Sequence, residues 1–204
     1  MDAIGRRLWQ LKSTGFVLEQ CLDIGAYRGD FTRIVKALYP ECRVQQFEAD
    51  ERNRSYIPHA VFALLGDQER EAIFYTLPDH ACTTGSSIFR ENTSHYVKPI
   101  QLSLPMTTLD KVADYAGDWS KGLVKMDTQG SEMMILKGAY GLMKKRPRFF
   151  LIECSVLPYN EGAPLINQVI ASMSNLGYGI RDFWDMNYDS MGNLLQTDIL
   201  FEVR

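Results

Sequence analysis

Short apolar runs alternate with helical patterns along most of this chain of 204 residues. Helical apolar spacing separates the runs, as in Phe31–Leu38 and Met133–Leu136. Strands that alternate with helices in this way predict a mainly parallel sheet with right-handed crossovers. The sequence therefore predicts a doubly wound, Rossmann-like α/β fold. The strand-length runs are Cys21–Ile24, Arg43–Glu48, Val61–Leu65, Leu123–Asp127 and Phe149–Glu153.

The remaining segments complete this prediction. Residues 1–15 are expected to form an N-terminal helix, and the polar stretch 78–96 is too long for a simple connector and is expected to be a lid loop. Thr107–Asp110 resembles a capping box that opens a helix toward Tyr115. Strands are also expected at residues 72–75, 98–104, 178–183 and 197–203, and a helix at 165–176.

Length and charge limit what the chain does. A chain of 204 residues suits one well-buried domain, so residues 1–204 are expected to form a single domain. The 22 basic and 25 acidic side chains give a formal net charge of −3, which makes nucleic acid a poor partner. The sequence contains no run of eighteen apolar residues, so no membrane span is predicted. Because the cysteines form no paired spacing, a reducing, cytoplasmic compartment is expected.

Four of the predicted strands end in a carboxylate. Asp23, Glu48, Asp127 and Glu153 each follow a buried apolar run. In a doubly wound sheet, ligands bind outside the carboxyl ends of the strands. We therefore expect these four side chains to face one binding crevice.

The loop after the first strand indicates the kind of ligand. Gly25 and Gly29 are spaced Gly-x-x-x-Gly and let the backbone approach a ligand beside a helix N-terminus. A dinucleotide fingerprint has a third glycine, which this loop lacks. The negative charge of Asp30 lies where a pyrophosphate would bind and so disfavours one. Glu48 can accept hydrogen bonds from ribose hydroxyls. A nucleoside without phosphates fits this loop best, although a generic strand–turn–helix corner has the same glycine spacing.

Several motifs resemble a known enzyme family. Asp23–Gly29 and Phe47–Asp50 resemble the first two motifs of class I S-adenosylmethionine methyltransferases. Lys125–Glu132, followed by Leu136–Ala139, resembles the FkbM family within that class. The resemblance implies a seven-stranded sheet with one antiparallel hairpin at its C-terminal end. Other stretches similar to that family are Gly85–Ser87, Thr107–Asp110, Leu151–Glu153 and Asp198–Phe201.

The resemblance also implies a cofactor and roles for residues. It implies S-adenosylmethionine as the donor and O-methylation of a sugar, a glycan or a polyketide-type molecule. Asp23 and Gly25 would bound the amino-acid part of the cofactor, with Gly29 in the same loop. Glu48 would bind the ribose and Asp67 the adenine amino group. The residues expected to close over this pocket are Ser86 and Ser87.

Methyl transfer to a hydroxyl needs a base close to the methyl group, because a hydroxyl is a weak nucleophile. Asp127 is the first candidate, and Glu153 and Glu132 are the next. Lys125 could hold the neighbouring carboxylates ionised through its charge. In a second version, Asp127 and Glu153 would bind a divalent cation such as Mg²⁺, which lowers the pKa of the acceptor hydroxyl.

The acceptor is expected to lie among loops. Tyr159 and Asn160 follow the fifth strand, and Trp184 lies in Phe183–Tyr188, which is expected to join the last two strands. Aromatic faces beside polar groups suit a sugar ring, although such side chains also pack hairpins. His95 in the predicted lid is a further candidate.

Three hypotheses remain open from the sequence. The first is the O-methyltransferase, the second is a nucleotide-dependent oxidoreductase on a similar scaffold, and the third is a binding module that has lost its chemistry. The first motif starts so near Met1 that excision from a longer protein is also expected. The oligomeric state is not predicted.

Overall fold

The computed structural model describes residues 2–78, 84–93, 96 and 98–204. The helices there are α1 Ala3–Ser13, α2 Asp30–Leu38, α3 Leu109–Val112, α4 Glu132–Lys137, α5 Tyr140–Lys145 and α6 Ile166–Asn175. The strands are β1 Gln20–Ile24, β2 Arg43–Glu48, β3 Val61–Phe62, β4 Leu64–Gly66, β5 Arg70–Thr76, β6 Ile100–Thr108, β7 Gly122–Met126, β8 Phe149–Ser155, β9 Tyr178–Tyr188 and β10 Leu194–Val203.

Seven of these strands form one sheet in the order β3-β2-β1-β7-β8-β10-β9. Neighbouring strands from β3 to β8 are parallel, and the last two strands form an antiparallel hairpin against β8. The predicted mainly parallel, seven-stranded sheet with a C-terminal antiparallel hairpin is confirmed. Because Ile24 lies beside both Phe47 and Met126, the ends of β1, β2 and β7 lie at one edge.

The predicted strand Val61–Leu65 divides into two strands. Ala63 donates its backbone N–H to the Glu48 carbonyl at 2.9 Å, and the chain then leaves the large sheet. Strand β4 pairs with β6, and β6 pairs with β5, in a separate three-stranded sheet. One continuous strand was therefore the wrong prediction, because an apolar run does not reveal which partner each half will pair with.

Side chains alternate between two buried faces of the large sheet. On one face, Leu22, Val124 and Phe150 pack with Ile135 of α4 and Val169 of α6. On the other face, α1 and α2 cover the sheet, and the buried side chains there include Leu8, Val35, Cys21, Leu123 and Leu151. Both faces are covered, as expected for parallel strands.

Helix α1 confirms the N-terminal helix, with Asp2 as its N-cap accepting a 2.7 Å hydrogen bond from the Gly5 N–H. The predicted capping box at Thr107–Asp110 is wrong, because Thr108 makes no side-chain cap and α3 ends at Val112. Asp110 instead accepts hydrogen bonds from the Gly141 N–H at 2.8 Å and the Tyr115 hydroxyl at 2.9 Å. None of the described helices is long and apolar enough to cross a membrane.

The last two strands are longer than the sequence predicted. Strand β9 continues through Phe183–Tyr188, which was expected to be a loop, and irregular pairing with β10 interrupts its alternation. Within the predicted lid, residues 78, 84–93 and 96 are described. Ser87 there exchanges two backbone hydrogen bonds with Tyr75 of β5, at 2.7 and 3.0 Å.

Candidate active site

A cavity with about 770 Å³ of empty space opens at the carboxyl ends of β1, β2 and β7. This first cavity lies where ligands bind in doubly wound sheets. Tyr27, Thr128 and Gln129 contribute to its wall. The sequence-predicted residues that line it are Gly25, Glu48, Ser86, Ser87 and Asp127.

Gly25 lets the ends of β1 and β7 come together. Its φ is +76°, and a Cβ there would lie 1.8 Å from the Asp127 carbonyl oxygen. The Gly25 and Ala26 N–H groups both donate to the Phe47 carbonyl at 3.0 Å. Any larger residue would push the loop away from β7, so this glycine shapes the cavity wall.

Asp23 and Gly29 lie behind the cavity and do not line it. Asp23 is fully buried, accepts a 2.7 Å hydrogen bond from the Thr32 hydroxyl, and has Lys125 Nζ 3.7 Å away. Burial raises the pKa of Asp23, and the Lys125 charge opposes this rise. Gly29 begins α2 with a φ of +81°, and a Cβ there would meet Ile57. Both residues support the loop.

Glu48 is held in place by the backbone of the same crevice. Its Oε2 accepts from the Tyr27 N–H at 2.7 Å, and its Oε1 accepts from the Asp50 N–H at 2.8 Å. Burial raises the pKa of Glu48 to about 7, although these two bonds favour the ionised form. Each oxygen keeps a second lone pair that can accept a ligand hydroxyl.

The predicted adenine and lid residues differ in position. Asp67 is half-buried outside the wall of the first cavity, and its buried Oδ1 has no hydrogen-bond partner among the described residues. Ser86 and Thr76 hydroxyls lie 2.7 Å apart. Ser87 donates its hydroxyl to the Gln129 carbonyl at 2.9 Å. This bond joins the lid segment to the loop after β7.

The two leading candidates for the base are joined by one amide. Gln129 Nε2 donates to Asp127 Oδ1 at 3.0 Å and to Glu153 Oε2 at 2.6 Å. Gln196 Nε2 also donates to Glu153 Oε2, at 3.1 Å. The structure therefore brings Asp127 and Glu153 together as the sequence predicted. The sequence motif Lys125–Glu132 includes Gln129, but no role was predicted for Gln129 itself.

Lys125 is buried between three acceptors. Its Nζ donates to the Gly25 carbonyl at 2.9 Å and lies 3.3 Å from Asp127 Oδ2 and 3.7 Å from Asp23 Oδ1. Burial alone would lower the pKa of Lys125, but the Asp127 and Asp23 charges outweigh it and raise that pKa. Lys125 is therefore a fixed positive charge beside Asp127 and Asp23, and its predicted effect on the ionisation of the carboxylates stays a prediction.

Further carboxylates lie in the same row of the sheet. Asp198 of β10 is paired directly with Glu153 of β8 on one side and with Asp185 of β9 on the other. Burial, followed by the Asp127 charge, raises the pKa of Asp198 to about 7 and that of Glu153 well above its usual range. A cavity with about 510 Å³ of empty space is lined by Glu153, Asp185 and Asp198. The pairing of distant strands creates this row, and sequence reasoning missed Asp185 and Asp198 as site residues.

Glu132 supports the loop and does not reach the cavity. It is 3% exposed, and its Oε1 accepts hydrogen bonds from the Thr128 N–H at 2.8 Å, the Thr128 hydroxyl at 3.0 Å and the Gly130 N–H at 3.2 Å. Burial raises its pKa. The structure thus places Glu132 as a support of the loop and away from the first cavity, because it is buried and its Oε1 is used inside the loop.

The predicted acceptor residues are only partly brought together. Tyr159 lines a second cavity of about 550 Å³ with Gln129 and Gln196. Asn160 is buried behind it and donates to the Phe89 carbonyl at 3.1 Å. Trp184 is 5% exposed and packs with the α1 and α2 side of the core, so its prediction as an acceptor contact is corrected. His95 lies outside the described residues.

The geometry offers no metal cage in the described part of the chain. No group of three or more His, Cys, Asp and Glu side chains there is arranged to hold a metal ion. The Gln129 amide nitrogen also lies between Asp127 and Glu153, where a bridging ion would bind. The two carboxylates do not fit a ready-made magnesium site, and the cation remains a prediction from the sequence alone.

The family description Methyltransferase FkbM domain matches residues 23–180, which is more than half of the chain. The chain belongs to this methyltransferase family. The match begins at Asp23 and includes the strand ends that form the first cavity. A comparison with curated proteins gave no match.

Two solved structures show the same fold. Methyltransferase FkbM from Methylobacillus flagellatus KT is 15% identical, with a TM-score of 0.53 over 90% of this chain. The match spans 43% of that protein, so the present chain corresponds to less than half of it. Magnesium protoporphyrin IX methyltransferase from Synechocystis PCC 6803, solved with bound SAM, is 8% identical, with a TM-score of 0.53 over 99% of this chain and 78% of its own.

Proposed function

We propose that this chain transfers a methyl group from S-adenosylmethionine to a hydroxyl oxygen of a sugar, a glycan or a related small polar molecule. The observation that carries the proposal is the Asp127–Gln129–Glu153 bridge, in which Asp127 lines the first cavity and Gln129 donates hydrogen bonds to both carboxylates. Gln129 lines both cavities. A donor in one cavity and an acceptor in the other would therefore meet beside two carboxylates.

The first cavity fits the donor. Lone pairs on Glu48 suit the two ribose hydroxyls. Asp67 lies outside the wall of this cavity, so its role toward the adenine amino group stays a prediction from the sequence. Gly25 keeps the backbone close to the amino-acid part of the donor. Asp30 in the first turn of α2 disfavours a pyrophosphate, which supports this donor over NAD.

The residues around Asp127 suit removal of a proton from a hydroxyl. The bound donor supplies an electrophilic methyl sulfonium. As the acceptor oxygen bonds to the methyl carbon, the carbon–sulfur bond breaks and the hydroxyl proton passes to Asp127. Lys125 Nζ lies 3.3 Å from Asp127 Oδ2 and places a positive charge beside that carboxylate. The second cavity contributes the approach direction, and alignment supplies much of the rate.

The second cavity favours a polar acceptor. Tyr159 offers a ring face beside the amides of Gln129 and Gln196, an arrangement that suits the C–H face and hydroxyl edge of a sugar. A polyketide-type hydroxyl acceptor is the alternative, and it would use the ring face more than the amides.

We also propose a cytoplasmic location, because Cys21, Cys42 and Cys154 are free and buried.

The test is a methyl-transfer assay with labelled S-adenosylmethionine and three probes, methyl glucoside, glucosamine and catechol, each with magnesium and with a chelator. The proposal predicts label on the oxygen of a sugar probe, located by mass spectrometry and NMR. Transfer to catechol alone would move the acceptor to the non-sugar class. Transfer to the glucosamine nitrogen would contradict O-methylation.

A further inference from the structure

Gln129 stands in a backbone conformation that its side chain does not favour. Its φ is +55°, in the left-handed region where non-glycine residues are uncommon, and the next residue, Gly130, also has a positive φ. Conformations of this kind persist where surrounding contacts enforce them. The Ser87 hydroxyl on the Gln129 carbonyl is one such contact, at 2.9 Å.

The strained backbone directs the side-chain amide between two carboxylates. The distances from Nε2 to Asp127 Oδ1 and Glu153 Oε2 are 3.0 and 2.6 Å, so the two N–H bonds of one nitrogen serve both. The NH₂ side of the amide suits this position, because it carries two donors for two acceptor oxygens. Its Oε1 points the other way and lies 3.4 Å from Gln196 Nε2.

Each carboxylate is thereby fixed by donors on known atoms. Asp127 Oδ1 accepts a hydrogen bond from Gln129 Nε2, and Asp127 Oδ2 lies 3.3 Å from Lys125 Nζ. Glu153 accepts both Gln129 and Gln196 on Oε2. Two neighbouring carboxylates repel each other, and a shared donor between them offsets that repulsion without a cation.

We propose that Gln129 is a positioning residue, whose amide joins Asp127 and Glu153 in the role that a bridging cation has in other carboxylate sites. The inference rests on the proposed function, because it takes Asp127 as the proton acceptor. Gln129 holds Asp127 toward the junction of the two cavities and does not itself accept the proton. The two N–H bonds are the essential feature, and the volume of the side chain is not.

Two variants separate hydrogen bonding from packing. Gln129→Glu keeps the size of the side chain and replaces the NH₂ donor by a carboxylate oxygen. Gln129→Met keeps a similar volume and has no donor. Gln101→Ala, an exposed glutamine on β6, is the control. The first measurement is a crystal structure of each protein with S-adenosylhomocysteine, which is informative whether or not an acceptor is known.

The expected result is that Asp127 and Glu153 separate in both Gln129 variants and keep their positions in the control. S-adenosylmethionine affinity by calorimetry is expected to change less than threefold. With a probe that accepts methyl, kcat is expected to fall about a hundredfold while KM for the donor is unchanged. A chelator is expected to leave wild-type kcat unchanged.

Carboxylates that stay in place in both variants would overturn the positioning role. A wild-type kcat in Gln129→Glu would overturn it as well, because it would show that a side chain of equal size suffices without the NH₂ donor. Loss of wild-type activity with a chelator would assign the bridge to a cation. Failure of the wild type to bind S-adenosylmethionine would contradict the proposed function, whereas the crystal structures would still decide the bridge.

Discussion

The two halves of the large sheet build their parts of the site in different ways. In the half with β2, β1 and β7, which we propose for the cofactor and call the cofactor half, the wall of the first cavity is formed by a closely packed glycine loop and by one carboxylate fixed through backbone N–H groups. In the half with β8, β10 and β9, which we propose for the acceptor and call the acceptor half, side chains such as Glu153, Gln196 and Asp198 line a separate cavity that shares Gln196 with the second cavity. The first half therefore depends on backbone geometry, and the second depends on side chains that strand pairing brings together.

Asp127→Asn gives the largest expected effect, because Asp127 lies where the halves meet. The amide keeps the shape but cannot accept the proton, so kcat is expected to fall about a thousandfold. Affinity for S-adenosylmethionine is expected to change less than threefold. Single-turnover methyl transfer and calorimetry measure the two quantities. Glu41→Gln, at an exposed position before β2, is the control, and an unchanged kcat in Asp127→Asn would refute its role as the base.

Gly25→Ala tests whether the cofactor half depends on backbone shape. A Cβ would lie 1.8 Å from the Asp127 carbonyl at a φ of +76°, so the free energy of unfolding is expected to fall by about 3 to 4 kcal/mol. Gly15→Ala is the matched control, because Gly15 has a φ of +87° with no atom within 4 Å of an added Cβ. The Gly15→Ala variant is expected to lose about 1 kcal/mol of unfolding free energy. Urea unfolding measures both, and equal losses would show that the close contact is tolerated.

Glu48→Gln tests the charge in the cofactor half. Burial raises the pKa of Glu48 from 4.5 to about 7, so the folded state holds its proton longer than the unfolded state. Wild-type stability is therefore expected to fall as pH rises from about 4.5 to 7, by about 3 kcal/mol in all.

The Glu48→Gln variant is expected to lack this decrease and to bind S-adenosylmethionine more weakly, because its amide has one acceptor oxygen where the carboxylate accepts from both the Tyr27 and the Asp50 N–H groups. Urea titrations at pH 4.5 and 8 measure the difference. A parallel pH dependence in the variant and the wild type would assign the change to other groups.

Asp198→Asn tests the acceptor half and has the smallest expected effect. Burial raises the pKa of Asp198 to about 7, and its ionisation above that pH places like charges opposite each other across the sheet. Removing the charge is expected to raise stability at pH 8 by about 1 kcal/mol and to change little at pH 5. Asp182→Asn, partly exposed on β9 and paired with Arg7, is the control. Destabilisation at pH 8 would mean that Asp198 has a structural partner.

The cofactor half was largely predictable from the sequence, because its residues are close together along the chain. Gly25 belongs to a local turn, and Glu48 and Asp127 directly end apolar runs. The acceptor half was less predictable. The contact between Gln129 and Glu153 depends on the pairing of β7 with β8, which no local pattern specifies.

The errors have similar physical causes. Trp184 was expected in a loop because a strand irregularity hides the alternation of β9, and the side chain is instead part of the core. Glu132 has the chemistry of a base, but burial under its own loop removes it from the cavity. Residue type indicates what a side chain can do, and packing decides whether it can reach a ligand.

A calorimetric titration with S-adenosylmethionine, S-adenosylhomocysteine and NAD tests the central claim most directly. The wild type is expected to bind both sulfur nucleosides at micromolar concentrations, about −8 kcal/mol, and not to bind NAD. Glu48→Ala is expected to lose this binding. Binding of NAD, or no binding of either sulfur nucleoside by the folded wild type, would contradict the assignment of the first cavity to the methyl donor.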